Sequence, residues 1–462
     1  MSDKYNKTVV ELLGQPAFFN TKTLDLGADC PCPATTRHSH HITSHHITSA
    51  SIASHASCVI ADNFGLAMPS LTSILPVLLA AALSSLLYFR GQEMLMFYNN
   101  APGRLPEINT FKSHEVRFAD RVRSCEDVLV LETRGLAILA CDAGRERWNT
   151  VMGVFVPGPV ASAELYVFDY KDSAAPDAEA LRHVDIVGFP GLRDFHTLGL
   201  AFDEETSTLF AANHARAGAR IEMFTLDLDQ LVARHAGTIQ HPLIHGPNSI
   251  ALVNSRELYV SNDHRFPATQ SVLLSRAESM LGLPLGTVVH VKLADDTPGR
   301  VDAAKVVARA GFANGVEILN ATTVAVAATS RAAVYLYARH EDGSLAYRSS
   351  FRLPFLPDNL SFSGGKLIIA GHPHFSSLAK FSATRHVCND AVELAKADED
   401  MRAYCDTGRA TSWVAEWTET EGLKSLYAGT EYPTSATAAR DSKRGAGIIS
   451  GLYAKGVLVW RD

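Results

Sequence analysis

Positive charge is scarce in this chain. Forty-two lysines and arginines stand against 49 aspartates and glutamates, for a net charge of −7. Without a basic face there is no electrostatic footprint for nucleic acid, which argues against that partner. Cysteines are few and odd in number: Cys30, Cys32, Cys58, Cys125, Cys141, Cys388 and Cys405. The last four form no Cys-x-x-Cys pair, so a zinc cluster lacks its ligands. Cys388 and Cys405 either pair in an oxidising compartment or lie as buried thiols. No Gly-x-Ser-x-Gly elbow, His-Glu-x-x-His helix or Walker loop occurs, which leaves serine-hydrolase, zincin and nucleotidase readings without support. The rest is ordinary for a globular protein: 47% apolar, 20% charged, 8% aromatic over 462 residues. That excludes wholesale disorder and a small disulfide scaffold.

The first hundred residues differ from the remainder. Residues 1–67 form a low-complexity tail with Cys-Pro-Cys-Pro at 30–33 and a tandem His-His-Ile-Thr-Ser at 40–49. No apolar periodicity is present to bury it, so disorder is expected, with metal capture by histidine as the other reading. From Leu71 to Phe89, 19 residues pass without a charge, and Arg90 ends the run. That length suits one membrane span, a signal-anchor helix over 68–90 if translation starts at Met68, or a buried core helix. A linker over 91–120 and a main domain over 121–462 complete the expected division.

From Cys125 onward the texture is all-β. Short apolar or alternating runs such as Asp127–Leu131, Leu198–Phe202, Ile250–Val253, Val324–Ala328 and Lys366–Ala370 recur between turn signals. A polar residue stands before several runs: Glu126, His196, Asn248, Asn314 and Asp358-Asn359. They are 70, 52, 66 and, to Asn359, 45 residues apart. A propeller blade takes about 40–50 residues plus loops, and equivalent strand starts in a propeller converge on one axis. The 337 residues from Glu126 to Asp462 leave room for about six blades at that size. A β-sandwich with unremarkable polar strand ends is the competing architecture.

If the strand starts converge, Glu126, Asp358, Asn248, Asn314 and Asn359 offer hard oxygen donors and two negative charges. That set suits Ca²⁺, whose coordination number of 6–8 is completed by water and substrate. His196 and His214 lie 18 residues apart, close enough to meet in a hairpin. Beside a cation they suit a general base and its orienting partner; elsewhere they are two structural histidines.

These residues resemble the paraoxonase/arylesterase family of calcium-dependent six-bladed β-propeller lactonases. The matching stretches are Ser124-Cys-Glu-Asp127, Ala212-Asn-His214, Asn248-Ser-Ile-Ala-Leu-Val, Leu258-Tyr-Val-Ser-Asn-Asp-His-Arg-Phe266, Gly311-Phe-Ala-Asn-Gly315, Leu356-Pro-Asp-Asn-Leu360 and Ala370-Gly-His-Pro373. The resemblance implies a catalytic calcium on Glu126, Asn248, Asn314, Asp358 and Asn359, and a His196–His214 dyad. It places His264, Phe312 and His372 at the substrate pocket. A second, structural calcium is implied on Asp127 and the Leu198 carbonyl, but Ser249 stands where the family has an aspartate, so that site is one carboxylate short. The family's ring-closing disulfide has no counterpart here, and its active-site tyrosine region holds Arg145–Trp148.

The implied fold is an all-β six-bladed propeller with a disordered N-terminal tail and one apolar N-terminal helix. The implied activity is hydrolysis of lactones or aryl esters, in a body anchored through residues 68–90 and facing the endomembrane lumen or the exterior. A non-catalytic calcium-stabilised propeller that binds a hydrophobic ligand or partner is the alternative. A propeller hydrolase acting on sugar lactones or phosphotriesters is a third.

Overall fold

The computed structural model describes residues 71–172 and 174–462. The tail over 1–67, with its histidine repeats and three cysteines, and Met68 after it lie outside the described residues.

Strands dominate, in antiparallel meanders. Two four-stranded sheets run Pro247–Asn254 to Val301–Ala310 and Ala313–Asn320 to Leu345–Arg352. A five-stranded sheet is built on Leu356–Ser363 through Gly422–Gly429, with Ile108–Asn109 added at its edge. An eight-stranded sheet holds two successive meanders, beginning at Cys125–Leu131 and Thr197–Asp203. Their outer strands, Leu181–Val187 and Val232–Ile239, meet in a short parallel pairing. In the last sheet, Ser435–Asp441, Ala446–Gly451 and Val457–Arg461 are joined by Ser113–Arg117 from far upstream. The stretch expected to be a linker over 91–120 thus contributes two strands. Its pairing with the C-terminal strand closes the structure by hydrogen bonds, with no disulfide at that seam.

The arrangement of sheets is propeller-like. The first strands of the meanders lie side by side in the order Cys125–Leu131, Thr197–Asp203, Pro247–Asn254, Ala313–Asn320, Leu356–Ser363, Ser435–Asp441, and the last returns to the first. They wall a central cavity of about 430 Å³. The hydrophobic core is divided among the gaps between sheets. One cluster joins Cys125, Leu139 and Phe168 to Ala439, Ile448 and Val457, across the seam. Others join Ile138 to Leu209, Ile221 to Val260, Val288 to Val326, Val334 to Ile369 and Ile368 to Ile449. A strand with sheets on both sides must be apolar on both faces. Hence Leu136–Cys141, Thr323–Ala328 and Ala446–Gly451 are buried throughout, and they are apolar but for Thr323 and Ser450.

The N-terminal helix runs Leu71–Asn99, past the expected end at 90. Among the described residues no single helix is long and apolar enough to cross a membrane; Leu75–Ser85 and Arg90–Asn99, bent by 63°, reach that length and composition together. The first part exposes Leu75, Val77, Leu78, Leu79 and Leu83. The second docks: Glu93 is buried and paired with Arg352 at 2.7 Å, and Arg90 donates to the Ser330 carbonyl.

An excursion between strands forms the helix Val272–Leu281, capped by the Ser271 hydroxyl. A longer insertion holds three helices, Phe375–Cys388, Ala391–Lys396 and Glu399–Thr407, the last two N-capped by Asp390 and Asp398. Cys388 and Cys405 are joined across this insertion, and Cys125 is joined to Cys141 across neighbouring strands.

Close approach near the axis requires glycine. A Cβ on Gly315 would lie 2.7 Å from the Leu360 nitrogen and 2.8 Å from the Asp358 carbonyl oxygen. Those neighbours are backbone and have little room to yield. Gly315→Ala is expected to lower unfolding stability by about 2 kcal/mol or more, because the innermost strands must separate. Chemical denaturation with a two-state fit checks this, and an unchanged midpoint would contradict the packing described.

Candidate active site

Each innermost strand breaks register near its start. Irregularities fall between Cys125 and Asp127, Pro247 and Ile250, Ala313 and Val316, Pro357 and Leu360, and Ser435 and Thr437. A bulge leaves a residue unpaired and re-aims its side chain. The residues so released are Glu126, Asn248, Asn314, Asp358 and Asn359, all buried.

Their contacts tie most of them together. Asn359 Nδ2 donates to Glu126 Oε1 at 2.8 Å and to Thr437 Oγ1 at 2.9 Å. Asn314 Nδ2 donates to Asp358 Oδ1 at 2.6 Å, and His372 Nε2 donates to Asp358 Oδ2 at 2.8 Å. What remains without a partner is informative: Glu126 Oε2, Asn248 Oδ1, Asn314 Oδ1 and Asn359 Oδ1 are all buried and unbonded. Buried acceptors are nearly always satisfied, so four orphans of one kind call for an explanation. Burial pushes the Glu126 carboxyl well above the usual range, and the charges of Asp358 and Asp127 push it further. Positive charge is in deficit here. Among the described residues no group of three or more His, Cys, Asp or Glu side chains is placed to hold a metal; carboxamides make up most of this set.

Asp127 is differently placed. Its Oδ1 accepts from Val128 N at 2.8 Å and lies 2.9 Å from Thr437 Oγ1, while Oδ2 accepts from Leu200 N at 2.7 Å. Both oxygens are therefore engaged by the protein. Ser249, in the aspartate position of the resemblance, accepts from Val316 N through its hydroxyl. Leu198 is buried in the adjoining strand.

The histidines divide by role. His196 is buried, and its Nδ1 lies 3.3 Å from Asp142 Oδ2. The carboxylate accepts the Nδ1 proton, which leaves Nε2 as the acceptor, with Asp194 Oδ1 3.7 Å away. His214 shares a backbone bond with His196, N to O at 2.8 Å. Its ring points elsewhere: Nε2 donates to the Pro247 carbonyl at 2.7 Å, and Thr150 Oγ1 donates to Nδ1. The ring partner of His196 is thus Asp142, where the dyad expectation had His214. His264 bonds Asp263 and Ser279 Oγ, and its ring lies 4.5 Å from that of Phe312 at a tilt of 55°.

A short hairpin of Trp148–Asn149 and Val154–Phe155 lies beside the histidines. Trp148 Nε1 donates to the His214 carbonyl at 2.8 Å, and its ring is 6.5 Å from that of His196. Asp142, Thr150 and Thr437 went unnoticed in the sequence. Asp142 follows a strand rather than preceding one, and Thr437 offers no carboxylate or carboxamide to extend the pattern.

A family model described as Arylesterase matches residues 152–404, more than half of the chain. The chain belongs to the arylesterase family. This arylesterase is a carboxylic ester hydrolase, as its relatives indicate. Serum paraoxonase/lactonase 3 of Oryctolagus cuniculus is 25% identical over 313 residues, covering 66% of this chain and 82% of that protein. Serum paraoxonase/arylesterase 2 of Gallus gallus is 25% identical over 347 residues, covering 71% and 90%. Among solved structures, a gluconolactonase from Xanthomonas campestris covers 77% of this chain and 94% of its own, with 13% identity and a TM-score of 0.44.

Burial holds the His214 imidazole below its ordinary value of 6.5, against the pull of Asp263 and the Pro247 carbonyl. The folded state therefore binds the proton less readily than the unfolded chain. This contribution to stability is complete above pH 6.5 and is lost as pH falls below it. The stability advantage of wild type over His214→Gln is expected to shrink as pH falls from about 7.5 to about 5. Thermal unfolding at both pH values measures it, and a constant difference would contradict the account.

Proposed function

We propose that this arylesterase is a calcium-dependent hydrolase of lactones and aryl esters, built as a six-bladed propeller with one cation at the axial end of its channel. The observation that carries the reading is the group of four buried side-chain oxygens without partners, on Glu126, Asn248, Asn314 and Asn359. Asp358 stands within the same hydrogen-bonded set. The donor set fits Ca²⁺: neutral carboxamide oxygens and two carboxylates are hard ligands, and no sulfur or imidazole is required. Calcium held there would supply Lewis acidity toward the substrate carbonyl. A second cation on Asp127 has less to bind, since Asp127 is already engaged and Ser249 brings no charge. The six-blade count treats the eight-stranded sheet as two meanders and the Ser113–Arg117 sheet as the closing blade; the ring of innermost strands supports it.

The chain's own residues do the rest. Asp142 fixes the His196 ring so that Nε2 takes a proton from water. Burial holds His214 neutral beside it, which spares His196 a second positive charge. His372, donating to Asp358, and Asn314, donating from its other side, fix that carboxylate. Trp148, Phe155 and Phe312 exclude water and offer apolar surface to the acyl or aryl group. The apolar side chains of the N-terminal helix support a membrane attachment through residues 68–90, and the two disulfides support a body on the oxidising side.

Purified protein should contain calcium, and a chelator should abolish hydrolysis of phenyl acetate and an aliphatic δ-lactone, with recovery when calcium returns. Full activity in a calcium-free preparation would end the metal role. His196→Gln should lower kcat by about a hundredfold with little change in calcium content. Unchanged kcat would remove the general base.

A further inference from the structure

Arg145 is 3% exposed, and among the described residues it takes part in no ion pair. It lies in the turn Ala143–Glu146, just after the strand that ends at Cys141 and three residues beyond Asp142. Its guanidinium donates to the Thr197 carbonyl, next to His196, while Nε has no partner. Glu146, its nearest carboxylate in sequence, is engaged by Arg123 at 2.8 Å and Asn389 at 2.7 Å. The positive charge of Arg145 is felt at Glu126 and at His214, which come from different strands. Its bond to the Thr197 carbonyl places it beside the His196 strand.

A buried charge without a close ion-pair contact is costly, and sequences that keep one generally have a partner for it. The other buried arginines show what a structural solution looks like here. Arg117 is paired with Asp177 at 2.7 Å, and Arg385 lies over the Phe381 ring at 3.8 Å and donates to Cys388 Sγ. Arg145 has neither an acid nor an aromatic face.

We propose that Arg145 is a specificity-determining residue that holds the carboxylate of an anionic substrate, so that the enzyme prefers lactones or esters carrying a carboxylate. This rests on the hydrolase reading above. A guanidinium presents paired N–H donors that match a carboxylate bidentately. The turn bearing it is braced from outside: Asn389 bonds Glu146, and Asp390 lies 3.5 Å from Arg147. The helical insertion thereby fixes where the charge sits. The site becomes a reaction centre with an anion anchor next to the His196 strand.

The test compares a five-membered lactone bearing a ring carboxylate with the same lactone bearing a carboxamide, on wild type, Arg145→Met and Arg145→Lys, with thermal melts as a folding control. Wild type should favour the carboxylate in kcat/KM by about tenfold or more, mostly through KM. Arg145→Met should bring the two substrates level while hydrolysing the carboxamide as wild type does, and Arg145→Lys should keep part of the preference. Binding of glutarate to the wild-type protein, followed by calorimetry, should disappear in Arg145→Met. Equal rates on both lactones in wild type would overturn the proposal and leave the hydrolase reading standing. So would a loss in Arg145→Met that is the same for both, which marks a role in catalysis or packing. Hydrolysis of neither lactone would count against the hydrolase reading itself. If Arg145→Met fails to fold, an unaltered carboxylate preference in a folded Arg145→Lys together with no glutarate binding to wild type overturns the anchor.

Discussion

Everything at this site depends on unpaired oxygen held out of water. A buried carbonyl or carboxylate oxygen without a donor costs free energy, and here four, one from each of four innermost strands, share that condition. The protein can sustain this because its strands do not hydrogen-bond evenly to their ends. Register breaks free the first residues of each strand, while the apolar layers between sheets hold the strands rigidly in place. The fold and the site are two consequences of one arrangement, in which packing between sheets offsets the cost of polar groups gathered at the axis.

Much of this was legible in the sequence, for a definite reason. Innermost and second strands carry strong signals, since burial on both faces makes them apolar, and the polar residues at their starts stand out by contrast. Glu126, Asn248, Asn314, Asp358 and Asn359 were therefore identifiable, as were His196 and His214. The outer strands, half exposed, gave no such contrast. Val232–Ile239 and Leu345–Arg352, with mostly partial or full exposure, merge into their loops. The innermost strand Ser435–Asp441 escaped because Thr437, not an acid or amide, does its polar work. Ser113–Arg117 was hidden by distance: its partner lies at the other end of the chain, and no local pattern carries that information.

The histidine pair shows where spacing misleads. Two histidines at strand ends suggested a ring-to-ring dyad, and the backbones do pair. Their ring nitrogens take partners that spacing does not encode: Thr150 and the Pro247 carbonyl claim both nitrogens of His214, while Asp142 takes the Nδ1 of His196. The Cys125–Cys141 link belongs to the same region. It joins the strand that presents Glu126 to the residue before Asp142, so the acidic floor and the histidine's orienting carboxylate are fixed to one another. The turn that follows carries Arg145 and is braced by the helical insertion.

The most direct test of the central claim is anomalous diffraction from crystals grown with calcium. The account predicts one strong peak at about 2.3–2.6 Å from Glu126 Oε2, Asn248 Oδ1, Asn314 Oδ1 and Asn359 Oδ1 together. Ordered waters alone between those oxygens, with calcium bound elsewhere or nowhere, would contradict it.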